Sequence, residues 1–310
     1  MPRTLSKVIL QLHDDEDVTA TPLHGSDCAI ICAELAALPN LQSISIAGPG
    51  AAACLPHAPN LATTFSHLTC LRLGTIRSHA GVVQLLAGLP AGLLQLRLDV
   101  DAPDHDRIGD ELSVYNRMMQ QQRSLQTAHL TALKTLHVTG GGSFVVGQDS
   151  TLPPNVINMN LPVVLHEKPL LQLTHLQHLD FANNKVLSGE QPDGFARLAR
   201  CLKQLTHLEI AALPIAEENA HVTMSTLAAM PLKKLEQLRI LRANAVWFGS
   251  GYAEGDGPHP VMRLQAATQL RFLDLWGFED HPGKQSPDWA ALLKSLPGAQ
   301  LGADLVPLKD

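Results

Sequence analysis

The chain has 310 residues, of which about one in six is Leu, while aromatic residues make up 4% and charged residues 17%. A formal net charge of −6 supplies no basic field to neutralise phosphates, so nucleic acid is not expected as a partner. The 22 Gly and 21 Pro interrupt the chain too often for long heptads, which excludes a coiled coil.

From the N-terminus, Met1 to Lys7 leads into the apolar stretch Val8 to Leu12 and then the acidic cluster Asp14, Asp15, Glu16 and Asp17. That stretch is too short for the apolar core of a secretory signal, and no run approaches the roughly 18 apolar residues of a membrane span. The Cys residues (Cys28, Cys32, Cys54, Cys70, Cys201) are odd in number and form no Cys-x-x-Cys pair, and no Asn heads an Asn-x-Ser/Thr sequon. These features predict an intracellular, cytoplasmic protein that meets no membrane, with its cysteines packed as small hydrophobes.

Helical periodicity first shows between Cys28 and Leu38, and further on at His79 to Leu89, Phe195 to Leu202, Val222 to Met230 and Trp289 to Leu296. Between these segments one phrase, Leu-x-x-Leu-x-x-Leu-x-Leu, returns along the chain. It reads Leu38/Leu41/Ile44/Ile46, then Phe65/Leu68/Leu71/Leu73, then Leu130/Leu133/Leu136/Val138. Later copies are Leu173/Leu176/Leu179/Phe181, Leu202/Leu205/Leu208/Ile210, Leu232/Leu235/Leu238/Ile240 and Ala267/Leu270/Leu273/Leu275. Shorter copies stand at Leu93/Leu96/Leu98 and Val156/Met159/Leu161, making about nine units. The period of two in the last pair buries one face of a short strand, and the earlier leucines turn the chain into the stack.

Two long insertions, Asp99 to His129 and Ala243 to Arg263, interrupt the repeats, and Thr139 to Pro154 is expected to cross as loop or 3₁₀ turn. Gly140-Gly141-Gly142-Ser143 lacks the Gly-Lys-Ser/Thr of a phosphate loop and reads as a turn. Gly249-Ser250-Gly251 lacks the spacing of a dinucleotide site. The acidic clusters at Asp14 to Asp17 and at Asp101, Asp104, His105 and Asp106 do not match a calcium loop and read as solvated charge. No nucleophile elbow and no His-Glu-x-x-His occur, so no cofactor and no catalytic residue are assigned.

Carried by these phrases, the chain resembles the leucine-rich-repeat family, and its long connectors are similar to the ribonuclease-inhibitor-like class. The resemblance implies an α/β fold, a leucine-rich-repeat solenoid or horseshoe with a parallel concave sheet and convex helices and loops. It would be one solenoid over 1–310, with an N-terminal cap at 1–37, repeats at 38–275 and a C-terminal cap at 276–310. Two departures stand out: unit lengths vary from about 20 to 40 residues, and only Asn184 matches the family's Asn after the strand. Gly, Thr or water must then satisfy most turns.

If each phrase ends in a strand, residues flanked by the Leu-x-Leu pair form an outward column, with neighbours about 4.8 Å apart. That column reads Ser45, Arg72, Arg97, His137, Asn160, Asp180, Glu209, Arg239, Asp274, basic first and acidic later. The preceding column reads Ser43, Cys70, Gln95, Thr135, Asn158, His178, His207, Gln237, Phe272, and the following one includes Leu241 and Trp276. His178, Asp180, His207 and Glu209 would meet as two imidazoles beside two carboxylates, a donor set suited to zinc. The apolar Leu241, Phe272 and Trp276, near Trp247 and Phe248, would mark a partner contact unless the Ala243 to Arg263 insertion covers them.

The resemblance implies a scaffold that binds another protein, without catalysis. The expected contact residues are Arg72, Arg97, His178, Asp180, His207, Glu209, Arg239, Leu241, Phe272, Asp274 and Trp276. A ubiquitin-ligase substrate adaptor and a cytoskeletal or axonemal component are alternative partner classes. A metal-dependent or other enzyme centred on the His-carboxylate patch is the alternative function.

Overall fold

A computed structural model describes residues 5–11, 25–47, 55, 61–76, 79–100, 123–140, 144–161, 163–164, 168–181, 185–186, 203–211, 232–241, 264–276, 287–296 and 298–301. The chain divides into two compact units: residues 1–145 with 150–162, and residues 146–149 with 163–310.

In the first unit, the strands β1 (Lys7–Gln11), β2 (Ser43–Ala47), β3 (Cys70–Ile76) and β4 (Gln95–Val100) pair in parallel in chain order. A two-residue strand, β5 (Arg123–Ser124), then precedes β6 (Thr135–Gly140). The short β7 (Phe144–Val145) comes before β8 (Asn158–Asn160), and the main ladder continues from β4 through β6 to β8. In the second unit, a minor pair joins β9 (Val163–Val164) to β11 (Lys185–Val186). Its main ladder runs β10 (His178–Phe181), β12 (His207–Ala211), β13 (Gln237–Leu241), β14 (Phe272–Trp276) and β15 (Gln300–Leu301), again parallel.

The recurring phrase explains this ladder. Its first two apolar residues close a turn, as in Leu41 N–H to Leu38 O (3.2 Å), Leu133 to Leu130 (3.0 Å) and Leu270 to Ala267 (3.0 Å). One residue before most strands of the main ladders, a carbonyl then accepts two N–H groups from the next rung. Gln42 and Ser43 donate to Ser6, Thr69 and Cys70 to Gln42, Lys134 and Thr135 to Leu94, and Glu236 and Gln237 to Thr206, all at 2.8 to 3.1 Å. The strand leucines form the core: Leu71, Leu136, Leu179, Leu208, Leu238 and Leu273 are each at most 2% exposed. Stacking is needed because no single strand could bury that face.

The predicted connectors at Cys28 to Leu38, His79 to Leu89 and Trp289 to Leu296 hold α1 (Gly25–Ala36), α3 (His79–Gly88) and, at the C-terminal end, α4 (Pro287–Ser295). A single helical turn, α2 (Leu61–Thr64), packs beside α3, where a Cβ on Gly88 would come within 3.3 Å of Leu61 Cδ1. The helices expected at Phe195 to Leu202 and Val222 to Met230, the Ala243 to Arg263 insertion and Asn184 lie outside the described residues. Each unit is therefore an α/β, parallel-strand solenoid of the leucine-rich-repeat type, with helices, 3₁₀ turns and short strands in its connectors.

Three segments carry strands that the sequence reading did not place. The segment expected as an N-terminal cap contains β1, whose Leu5-x-x-Val8-x-Leu10 is a short copy of the phrase and pairs Lys7 with Ser43. The segment expected as a C-terminal cap contains β15, pairing Gln300 with Phe272. The Thr139 to Pro154 crossing, expected as loop, carries β7, which pairs with β5, and a bridge from Thr151 to Gln126. There the buried Thr127 sends both its N–H (2.7 Å) and its hydroxyl (3.1 Å) to the Thr151 carbonyl.

Candidate binding surface

The strand register sets the outward columns as the sequence predicted. In the first unit, Ser45, Arg72, Arg97, His137 and Asn160 are successive register partners. In the second, Asp180, Glu209, Arg239 and Asp274 form one column, His178, His207, Gln237 and Phe272 another, and Leu241 is the register partner of Trp276. The side chains of Glu209, Arg239, Leu241 and Trp276 lie outside the described residues, as does the segment that would cover them. Column membership does not ensure exposure: Asn160 is 5% and Asp274 9% exposed, so the Asp274 carboxylate is covered although it was expected as a surface contact. Phe272 is half-buried.

The first unit presents two arginines as register partners on neighbouring strands. Arg72 is exposed, and the Arg97 side chain keeps 44% of its surface in solvent. Arg97 Nε donates to Asp99 Oδ1 at 3.3 Å, and the Thr139 hydroxyl donates to the same oxygen in a short bond. Asp99 and Thr139 are register partners on β4 and β6. They extend the outward face one step past Arg97 and His137, and that step in the register is the signal by which sequence reasoning could have found them. In the preceding column, Cys70 Sγ donates to Gln95 Oε1 at 3.7 Å and Asn158 Nδ2 to Thr135 Oγ1 at 3.4 Å.

The second unit brings His178 and His207 together as a stack, ring centroids 4.0 Å apart and planes 13° from parallel. Thr206 Oγ1 lies 2.7 Å from His207 Nδ1. Burial pushes both imidazoles below the usual histidine value; His207 pushes His178 further in that direction, and the Glu236 carboxylate opposes the shift at both rings. Glu236, one residue before β13, was not among the sequence candidates because it precedes the strand and belongs to none of the outward columns. As stacked, the rings cannot share a metal: each nitrogen lone pair lies in its own ring plane, and nearly parallel planes give no common point about 2.0–2.1 Å from both nitrogens. Among the described residues, no group of three or more His, Cys, Asp and Glu side chains is placed to hold a metal ion.

Repeated parallel rungs, a leucine core and register-aligned polar columns define the class as a leucine-rich-repeat solenoid. No family model matches the chain, and no curated protein does. Among solved structures, an internalin from Listeria monocytogenes aligns with a TM-score of 0.46 at 15% identity, covering 88% of this chain and 70% of its own. A likeness at that level adds no argument about what this chain does. Among the described residues, no helix is long and apolar enough to cross a membrane.

Proposed function

We propose that this chain is a non-catalytic recognition scaffold that seats another protein across the outward faces of its strands. The supporting observation is the pairing of a leucine-filled inner face with outward columns of polar and charged residues held in register, such as Ser45, Arg72, Arg97 and His137. Side chains on neighbouring strands, about 4.8 Å apart, give an extended surface of the kind that repeat solenoids use for binding. In this reading residues 1–310 form one solenoid of the ribonuclease-inhibitor-like class, working in the cytoplasm without a cofactor, nucleic acid or membrane. The helices α1, α3 and α4 support that class. The stacked geometry of His178 and His207 gives the metal-enzyme alternative no support.

The test is differential capture from the cell that makes the protein, comparing wild type with Arg72→Ala/Arg97→Ala, Phe272→Ala/Trp276→Ala and the helix-face control Gln84→Ala. Both outward-face doubles are expected to lose partner, the aromatic pair losing more, while Gln84→Ala retains it. Capture that survives both doubles and fails with Gln84→Ala would move the site to the connectors.

A further inference from the structure

We infer that Arg72 and Arg97 form a two-guanidinium seat for a single carboxylate carried by an acidic segment of the partner polypeptide. This deepens the reading of the outward face as a docking surface and rests on it. Arg72 and Arg97 are direct register partners on β3 and β4. Like charges placed opposite each other on neighbouring strands repel, and a bound anion relieves that repulsion. Among the described residues Arg72 makes no hydrogen bond or ion pair, so its guanidinium is available to a ligand.

Arg97 is held in a different way. Its Nε is engaged by Asp99, and Asp99 is fixed by the Thr139 hydroxyl, while the terminal N–H groups of Arg97 make no hydrogen bond among the described residues. The strand irregularity between Leu73 and Ile76 lies beside this chain of contacts: β3 supplies Gly74 and Thr75 where β4 supplies only Asp99. Gly74 carries no side chain to compete for the carboxylate.

Charge count selects the ligand. Two guanidinium groups and one Asp99 carboxylate leave one net positive charge, which a single Asp or Glu side chain balances. A phosphoryl group, close to a dianion at neutral pH, would bring excess negative charge beside Asp99. Two planar forks also suit the two oxygens of a carboxylate.

The experiment follows the Arg Nε–Hε signals of the full chain by NMR during titration with the blocked peptide Gly-Ser-Glu-Ser-Gly, its Gln analogue and its phosphoserine analogue. The Glu peptide is expected to shift the Arg72 and Arg97 signals saturably with a Kd on the order of 1 mM. The Gln peptide is expected to leave them in place, and the phosphoserine peptide to bind no more tightly than the Glu peptide. Arg72→Lys, read at Arg97, should weaken the Glu peptide about tenfold, because a point charge replaces the fork. Thr139→Val changes no charge and should weaken it by about threefold through loss of the group that aims Asp99. Asp99→Ala separates seat from field: a charge field alone predicts tighter binding, and the seat predicts weaker binding. Tighter binding by Asp99→Ala, preference for phosphoserine, or unmoved Arg signals overturns the proposal. Unmoved signals with partner capture still lost in the outward-face doubles would remove the seat and leave the docking surface standing. Unchanged circular dichroism confirms that each variant is folded.

Discussion

Leu136→Ala is the most direct test of the register. Leu136, the second residue of β6, is 0% exposed between its register partners Leu96 on β4 and Met159 on β8, which are 1% exposed each. The substitution removes about three carbons, worth about 2.4 kcal/mol at roughly 0.8 kcal/mol per buried methylene. A residual cavity of about 60 Å³ at about 24 cal/mol per Å³ adds about 1.4 kcal/mol. The sum, about 4 kcal/mol, lies within the usual Leu→Ala range of roughly 2–5 kcal/mol. Urea unfolding followed by circular dichroism and by tryptophan fluorescence should show a lower midpoint at unchanged slope, with coincident transitions. The neighbouring outward-face variant His137→Ala serves as control, and its change should be far smaller. A Leu136→Ala loss under about 0.5 kcal/mol would show that β6 does not pack Leu136 inward.

The histidine stack should report its surroundings in an NMR titration. Both imidazoles should titrate below 6.5, Glu236→Gln should lower both midpoints further, and His207→Gln should raise that of His178; a rise on Glu236→Gln would remove the carboxylate from its assigned place. Because folding lowers these pKa values, the folded state binds fewer protons than the unfolded chain as pH drops below about 6.5. Their contribution to stability is full above that value and lost below it, which urea midpoints at pH 7.5 and 5.5 would show as a decrease in acid that His178→Gln/His207→Gln reduces. Thr127→Val removes the hydroxyl bonded to the Thr151 carbonyl but keeps the N–H on the same oxygen, so it should cost about 1 kcal/mol. A neutral result in the same urea assay would show that the hydroxyl contributes nothing to the turn.

Sequence periodicity revealed the ladder wherever two leucines set the turn and a Leu-x-Leu pair set the strand. That is why Arg72 beside Arg97 and His178 beside His207 were legible as neighbours before any coordinates. β15 was not legible, because Leu301 is preceded by Gly298 and Ser295 where other rungs carry apolar residues. The short phrase at β1 is readable only once one knows that a rung needs neither a first leucine nor full burial, for Val8 and Leu10 are only half-buried there. Within the candidate surface, column order followed from the pattern, but ring stacking, the bond from Arg97 to Asp99 and the influence of Glu236 depend on side-chain rotamers. The covered state of Asp274 was hidden for a related reason: alternation says which side of a strand a residue takes, not what lies over it.

The doubly accepting carbonyl before most ladder strands separates what holds the fold from what a partner would meet. Ser6, Gln42, Leu94, Thr206 and Glu236 all use this main-chain oxygen in the same way although their side chains range from hydroxyl and amide to alkyl and carboxylate. Rung-to-rung attachment is therefore indifferent to side-chain identity at those positions and relies on the leucines behind. The outward residues can then be rewritten rung by rung without retuning the ladder. Excising 43–69 would bring Cys70 directly after Gln42 and offer the Ser6 oxygen an equivalent pair of N–H groups. The chain is thus built as a set of interchangeable printed lines, with the backbone as the type bed and the outward columns as the text.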